Sequence, residues 1–143
     1  MIVLDTDHMS VLERREQPAV DHLLTRLAEQ PAFEVMTTVI SYEEQMRGWM
    51  AYIARARSMT QQITAYDRLL SHLENYRGIP VLGFDEAAAA AFQKLRRRHR
   101  RIGTMDLKIA AIVLSRNATL LSRNLRDFSQ LPDLRVEDWT STP

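Results

Sequence analysis

Short apolar runs alternate with helix-length amphipathic segments, and this alternation constrains the chain more than any other feature. Residues 2–4 (IVL), 33–40 (FEVMTTVI), 81–84 (VLGF), 119–122 (TLLS) and 134–137 (LRVE) each read as a strand. The segments between them are helical in pattern, including 8–16 and 18–29, where Val20, Leu23, Leu24 and Leu27 recur at helical spacing. Strands separated by helices predict an α/β fold with a mainly parallel sheet covered on both faces. In such sheets ligands bind outside the carboxyl ends of the strands, near the point where strand order reverses. Polar residues just after the strands are therefore the ones to inspect.

The longest helical stretch spans residues 41–77. Ser41 reads as its cap. Tyr42, Met46, Trp49 and Ile53 form one near-heptad stripe, and Met59, Ile63, Tyr66, Leu70 and Leu73 form a second. Two long helices packed as a hairpin through these stripes are expected, and any apolar surface left outside would suit a partner helix. Gly78 and Pro80 end the hairpin. Asp85 reads as the cap of the next helix, His99 as its end, and Thr104 as the start of another that runs to about Ser115.

At 143 residues, with no linker-like stretch or repeat, the chain reads as one domain. The absence of cysteine excludes a disulfide scaffold and a thiolate zinc site. His8, His22, His72 and His99 lack metal-binding spacing. No apolar run is long enough for a membrane span, and the sequence opens into MIVLD without a basic leader, so a cytoplasmic protein is expected. Net charge is +1, but Lys94–Arg101 (KLRRRHRR) contributes +6 and leaves −5 on the rest. A basic block against an acidic remainder fits an anionic partner; a solvated helix face is the plain alternative.

The acidic residues fall where the strand-end rule points. Asp5 follows the first strand, Glu44 lies one turn beyond the second, Asp106 lies in the first turn of the helix from Thr104, and Asn124 and Asp127 follow the fourth. In a parallel sheet these segments open at one edge. Two carboxylates about 4 Å apart repel by about 4 kcal/mol at an effective dielectric of about 20, so such a group must take up protons or a cation. An all-oxygen donor set suits Mg²⁺ or Mn²⁺, which can act on a phosphodiester. Each acid also has a local explanation. Glu44 completes a capping box with Ser41, Asp106 is a first-turn acid, Asp7 caps the first helix, Asp127 holds a turn, and Glu43 is an exposed neighbour. Asp5 is the hardest to explain locally, because Thr6 and Asp7 are both available as caps.

With LDTDHMS, SYEEQMRG, RIGTMDLKIAA and LLSRNLRDFSQLPDLRVEDW in view, the chain resembles the PIN-domain ribonucleases, specifically VapC-type toxins of toxin–antitoxin pairs, over nearly its whole length. The resemblance implies a three-layer α/β/α sandwich and metal-dependent endonucleolytic cleavage of RNA with Mg²⁺ or Mn²⁺. It places the family's acids on Asp5, Glu44 and Asp106 as metal holders, with Asn124 and Asp127 as the nearby polar and acidic positions. Glu44 rather than Glu43 is matched because Gly48 follows four residues later. Ser122 stands where threonine is frequent and keeps the hydroxyl; Asp7 stands where asparagine is frequent and adds a charge. The implied partners are RNA, a VapB-type antitoxin that docks on the helical hairpin, and a second copy of the chain.

On an RNA-cleaving protein, Arg96, Arg97, Arg98, Arg100 and Arg101 become candidates to grip phosphates without reading sequence. Two other readings compete. A non-catalytic PIN domain would bind RNA or protein without cutting. An aspartyl-phosphate phosphatase shares the Asp5-Thr6-Asp7 pattern, but Met9 occupies the place where that class has Thr or Val.

Overall fold

A computed structural model describes residues 1–142. The strands are β1 (Ile2–Leu4), β2 (Val35–Thr38), β3 (Val81–Leu82), β4 (Thr119–Leu121) and β5 (Arg135–Glu137). The helices are α1 (Thr6–Arg14), α2 (Ala19–Leu27), α3 (Val39–Arg55), α4 (Met59–Arg77), α5 (Glu86–Arg98), α6 (Thr104–Ser115) and α7 (Leu125–Phe128). All sheet pairings are parallel, in the order β3-β2-β1-β4-β5.

Alternate side chains of each strand feed opposite layers, as the two-residue strand period requires. Val3 and Leu120 point into a core with Ile109, Ile112, Val113 and Phe128 from α6 and α7. Their neighbours Leu4 and Leu121 point into a second core with Met9, Val20, Leu23 and Trp139. Helices thus cover both faces, and the three-layer α/β/α arrangement holds. β1 sits at the centre, with β2 and β3 on one side and β4 and β5 on the other. The strand order therefore reverses at β1, which places the ligand-binding crevice beyond its carboxyl end.

Several boundaries differ from the sequence reading. The second strand begins only at Val35, because Ala32–Glu34 form a 3₁₀ turn. It ends at Thr38, whose hydroxyl accepts from the Ser41 N–H at 3.1 Å and caps α3. Helix α3 therefore starts at Val39, and Ser41 lies inside it rather than capping it. The third strand shrinks to two residues. Asp85 caps α5 and His99 closes it, as expected.

The helical hairpin forms, but its second stripe points the other way. Met59, Ile63, Tyr66, Leu70 and Leu73 are each 51–69% exposed. The face of α4 turned inward carries Ala65, His72 and Tyr76, all buried. Polar partners explain the choice. His72 Nδ1 pairs with Glu13 at 3.2 Å, and the Tyr76 hydroxyl donates to Gln45 at 2.5 Å. Tyr42 stacks on His72 with ring centroids 5.8 Å apart. These polar contacts and aromatic faces outweigh a more apolar stripe one residue out of phase. Among the described residues no helix is long and apolar enough to cross a membrane.

Candidate active site

The crevice beyond β1 gathers the acidic residues. The Asp5 amide continues the β1–β4 ladder, donating to the Leu121 carbonyl at 3.0 Å, and fixes the side chain at the strand end. Asp5, not Asp7, caps α1: its Oδ1 accepts from the His8 N–H at 2.8 Å. The expectation that Asp7 caps the helix is corrected here. An extended Asp5 backbone at the mouth of the helix aims its carboxylate at the first-turn amides, whereas Asp7 already lies inside α1. Asp7 instead faces solvent and pairs with Arg123 Nε at 3.0 Å. Burial pushes its pKa up, against the pull of that guanidinium.

Glu44 does not close a capping box. With α3 capped at Thr38, Glu44 falls in the second turn, out of reach of the helix's free amides. Its Oε1 accepts from the Thr6 hydroxyl at 2.6 Å, and Ser41 Oγ lies 3.2 Å from the same hydroxyl. The first residue of α1 thus holds the acid of α3 toward the crevice. Glu43 pairs with Arg47 on the outside.

Asp106 lies in the first turn of α6. Its Oδ2 accepts from Asn124 Nδ2 at 3.3 Å, and the same amide donates to Asp127 Oδ2 at 3.1 Å. Ser122, fully buried, accepts from the Asn124 N–H at 3.0 Å and sets the start of this loop. The pKa of Asp106 is pushed up to about 6. Burial is the main cause, followed by the negative charges of Glu44, Asp5 and Asp127, while the Asn124 hydrogen bond opposes them. Carboxylates from α1's cap, α3 and α7 therefore act on that of α6 across this edge of the sheet. Among the described residues, no three His, Asp or Glu side chains are close enough to make a finished metal cage.

Sequence reasoning missed two supporting residues. Thr6, read only as a spare cap, positions Glu44. His8 is fully buried between Asp5 and Asp138, with Nδ1 3.3 Å from Asp5 Oδ1 and Nε2 3.8 Å from Asp138 Oδ1. Its Nε2 accepts from the Trp139 N–H at 3.3 Å, while the buried Nδ1 has no hydrogen-bond partner. The signal was a lone histidine three residues after Asp5, one helical turn along.

The basic block divides in the structure. Arg96, Arg97 and Arg100 line a cavity of about 660 Å³ against the start of α6; Arg98 and Arg101 do not. A second groove, of about 980 Å³, runs from Thr6 and Glu44 along α3 to α4.

The family model that matches this chain is the PIN domain, over residues 2–134. The chain belongs to the PIN domain family. Ribonuclease VapC1 of Haemophilus influenzae (strain R2866) is 27% identical over 142 residues, which is 96% of this chain and 97% of that protein. The tRNA(fMet)-specific endonuclease VapC of Shigella flexneri is 34% identical over 79 residues, 52% of this chain and 60% of that protein. Among solved structures, VapBC-1 from nontypeable Haemophilus influenzae matches this PIN domain with a TM-score of 0.69 and 27% identity, covering 99% of this chain and 100% of that one. FitAB bound to a DNA fragment has a TM-score of 0.74 at 22% identity over 100% of this chain and 98% of that one, a likeness of fold.

Proposed function

We propose that this PIN domain is a metal-dependent endoribonuclease and the toxin of a toxin–antitoxin pair. The observation that carries the reading is Asp106 at the carboxyl edge of the sheet, hydrogen-bonded to Asn124 and pushed up to about 6 chiefly by burial and then by the charges of Glu44, Asp5 and Asp127. A relative named ribonuclease VapC1, matched across nearly all of both chains, supports the activity.

The donor chemistry fits a hard divalent cation. Asp5, Glu44, Asp106, Asn124 and Asp127 offer only carboxylate oxygens and a carboxamide, and the sequence has no cysteine to supply a thiolate. Asp5, Glu44 and Asp106 would hold Mg²⁺ or Mn²⁺, with Asn124 and Asp127 alongside. Once bound, such an ion supplies Lewis-acid charge to a phosphodiester. The chain's own residues prepare for it. The His8 backbone N–H donates to Asp5 Oδ1, and none of the described hydrogen bonds takes Oδ2. Thr6 fixes Glu44, and Asn124 spaces Asp106 from Asp127. A cation relieves the repulsion that these carboxylates otherwise carry.

The partner reading rests on α4. An exposed stripe of Met59, Ile63, Tyr66, Leu70 and Leu73 is an unpaired coiled-coil seam, suited to an amphipathic helix. A solved relative of matching length is a VapBC complex, which supports a VapB-type antitoxin as the occupant.

Purified protein incubated with total RNA tests the activity. Discrete fragments in Mn²⁺ or Mg²⁺ that vanish with chelator, and vanish with Asp5→Asn, are expected. Asn still caps α1, so that variant keeps its fold. Intact RNA under every condition would favour the non-catalytic, binding-only alternative. Wild-type cutting by Asp5→Asn would remove Asp5 from the site.

A further inference from the structure

The acidic crevice repels the polymer it is proposed to cut. RNA carries one charge per nucleotide, and Asp5, Glu44, Asp106 and Asp127 carry the same sign. A strand can be held there only if positive groups nearby take its flanking phosphates. An arginine-lined cavity lies against the start of α6. It is bounded by Thr104 and Leu107 of α6, the helix that also carries Asp106 between them. Gln93, Arg96 and Arg97 share one face of α5 at positions i, i+3 and i+4, and the turn after α5 brings Arg100 to the same side.

Three features mark this cavity as an anion site rather than a solvated helix face. First, no carboxylate neutralises Arg96, Arg97 or Arg100 among the described residues, nor Arg98 or Arg101, so the whole block keeps its charge and position alone separates its members. Second, the guanidiniums converge on a concavity instead of spreading over a convex surface, which suits fork-like contact with phosphate oxygens. Third, α6 opens at Gly103 with no side-chain cap, and its first residue, Thr104, lines the same cavity.

We propose that Arg96, Arg97 and Arg100 form a subsite for a backbone phosphate flanking the scissile bond of single-stranded RNA, and that Arg98 and Arg101 do not belong to it. The inference rests on the endoribonuclease reading and deepens it. It divides a uniformly basic sequence block into a binding part and a bystander part of equal chemistry. The subsite positions the strand and reads no base, because guanidinium–phosphate contacts carry no sequence information.

Two variants with the same charge loss test this. Arg97→Ala with Arg100→Ala empties the cavity; Arg98→Ala with Arg101→Ala does not touch it. Affinity for a labelled single-stranded RNA is measured by fluorescence anisotropy in chelator, across a salt series, with the molecular mass of each variant checked by light scattering. The cavity pair should bind roughly tenfold more weakly, with a salt slope shallower by about 0.7, the value for one lost phosphate contact on a single strand. The bystander pair should stay within about threefold of wild type, as expected of charges that make no phosphate contact. Equal losses in both pairs would reduce the effect to bulk charge and overturn the subsite. Unchanged RNA affinity with a changed oligomeric mass would make the cavity a protein contact and also overturn it. RNA cleavage by wild-type protein in Mn²⁺ is scored separately. Failure there sinks the nuclease reading, whereas binding in chelator judges the cavity alone.

Discussion

Replacing Asp106 by asparagine should make the metal-free protein more stable, not less. Asp106 is moved from 3.8 to about 6 by burial and by the charges of Glu44, Asp5 and Asp127. A displacement of that size corresponds to about 3 kcal/mol between the ionised and protonated forms. The folded-state pKa lies above the unfolded value, so the contribution to stability is complete below 3.8 and is lost as pH rises through about 6. At pH 7.5 the ionised carboxylate therefore strains the fold. Partial solvent screening reduces the figure, and so does the favourable field at the α6 N-terminus, worth about 0.3–1 kcal/mol. A net gain of about 1–2 kcal/mol remains for Asp106→Asn, which still accepts from Asn124 through its amide oxygen. That is roughly 3–8 °C in Tm for a chain of this length. Thermal unfolding in chelator at pH 7.5 and again near pH 4 reads it directly. The gain should be present at the higher pH and vanish at the lower. Mg²⁺ should then raise the wild-type Tm and leave the variant nearly unmoved. A variant less stable than wild type at pH 7.5, or a gap equal at both pH values, would refute the electrostatic account.

Three further outcomes are expected. Thr6→Val removes the hydroxyl that holds Glu44 and should weaken Mn²⁺ binding roughly tenfold or more by calorimetry; unchanged affinity would show that Glu44 needs no support. His8→Leu strands the Trp139 N–H, so urea unfolding should report a loss of about 1–3 kcal/mol, and a neutral result would mean that the buried imidazole is replaceable packing. Ile63→Asp with Leu70→Asp places charge on the outer face of α4, and should cost about 2 kcal/mol or more in binding a coexpressed VapB-type antitoxin while leaving RNA cleavage intact; an unaltered complex would move the docking face elsewhere.

Much of the frame was legible because it depends on periodicity. Apolar runs ending in polar residues locate β1 and β4 closely, and the strand-end rule points to one edge for Asp5, Glu44, Asp106, Asn124 and Asp127. What was not legible depended on partners distant in sequence. Ser41 looked like a cap because the residues before it are β-formers; only in three dimensions does Thr38 turn the chain into α3 one helical turn sooner. Asp5 looked free of local duty, yet one of its oxygens caps α1. The α4 stripe was assigned inward because it is the more apolar one. Its orientation is decided instead by Glu13 and Gln45, which await His72 and Tyr76 across the gap. The hydroxyl of Thr6 reaches an acid thirty-eight positions away, a relation that no spacing rule contains.

The outward seam of α4 bears on how such a protein can exist in a cell at all. Hydrocarbon laid along the outside of a long helix coheres with any similar surface it meets, including that of a sister molecule. A chain produced alone drifts toward clumping as its concentration climbs, whereas one born beside a matching helix is kept dispersed. Solubility and silence would then share one molecular cause, and loss of the companion would end both together.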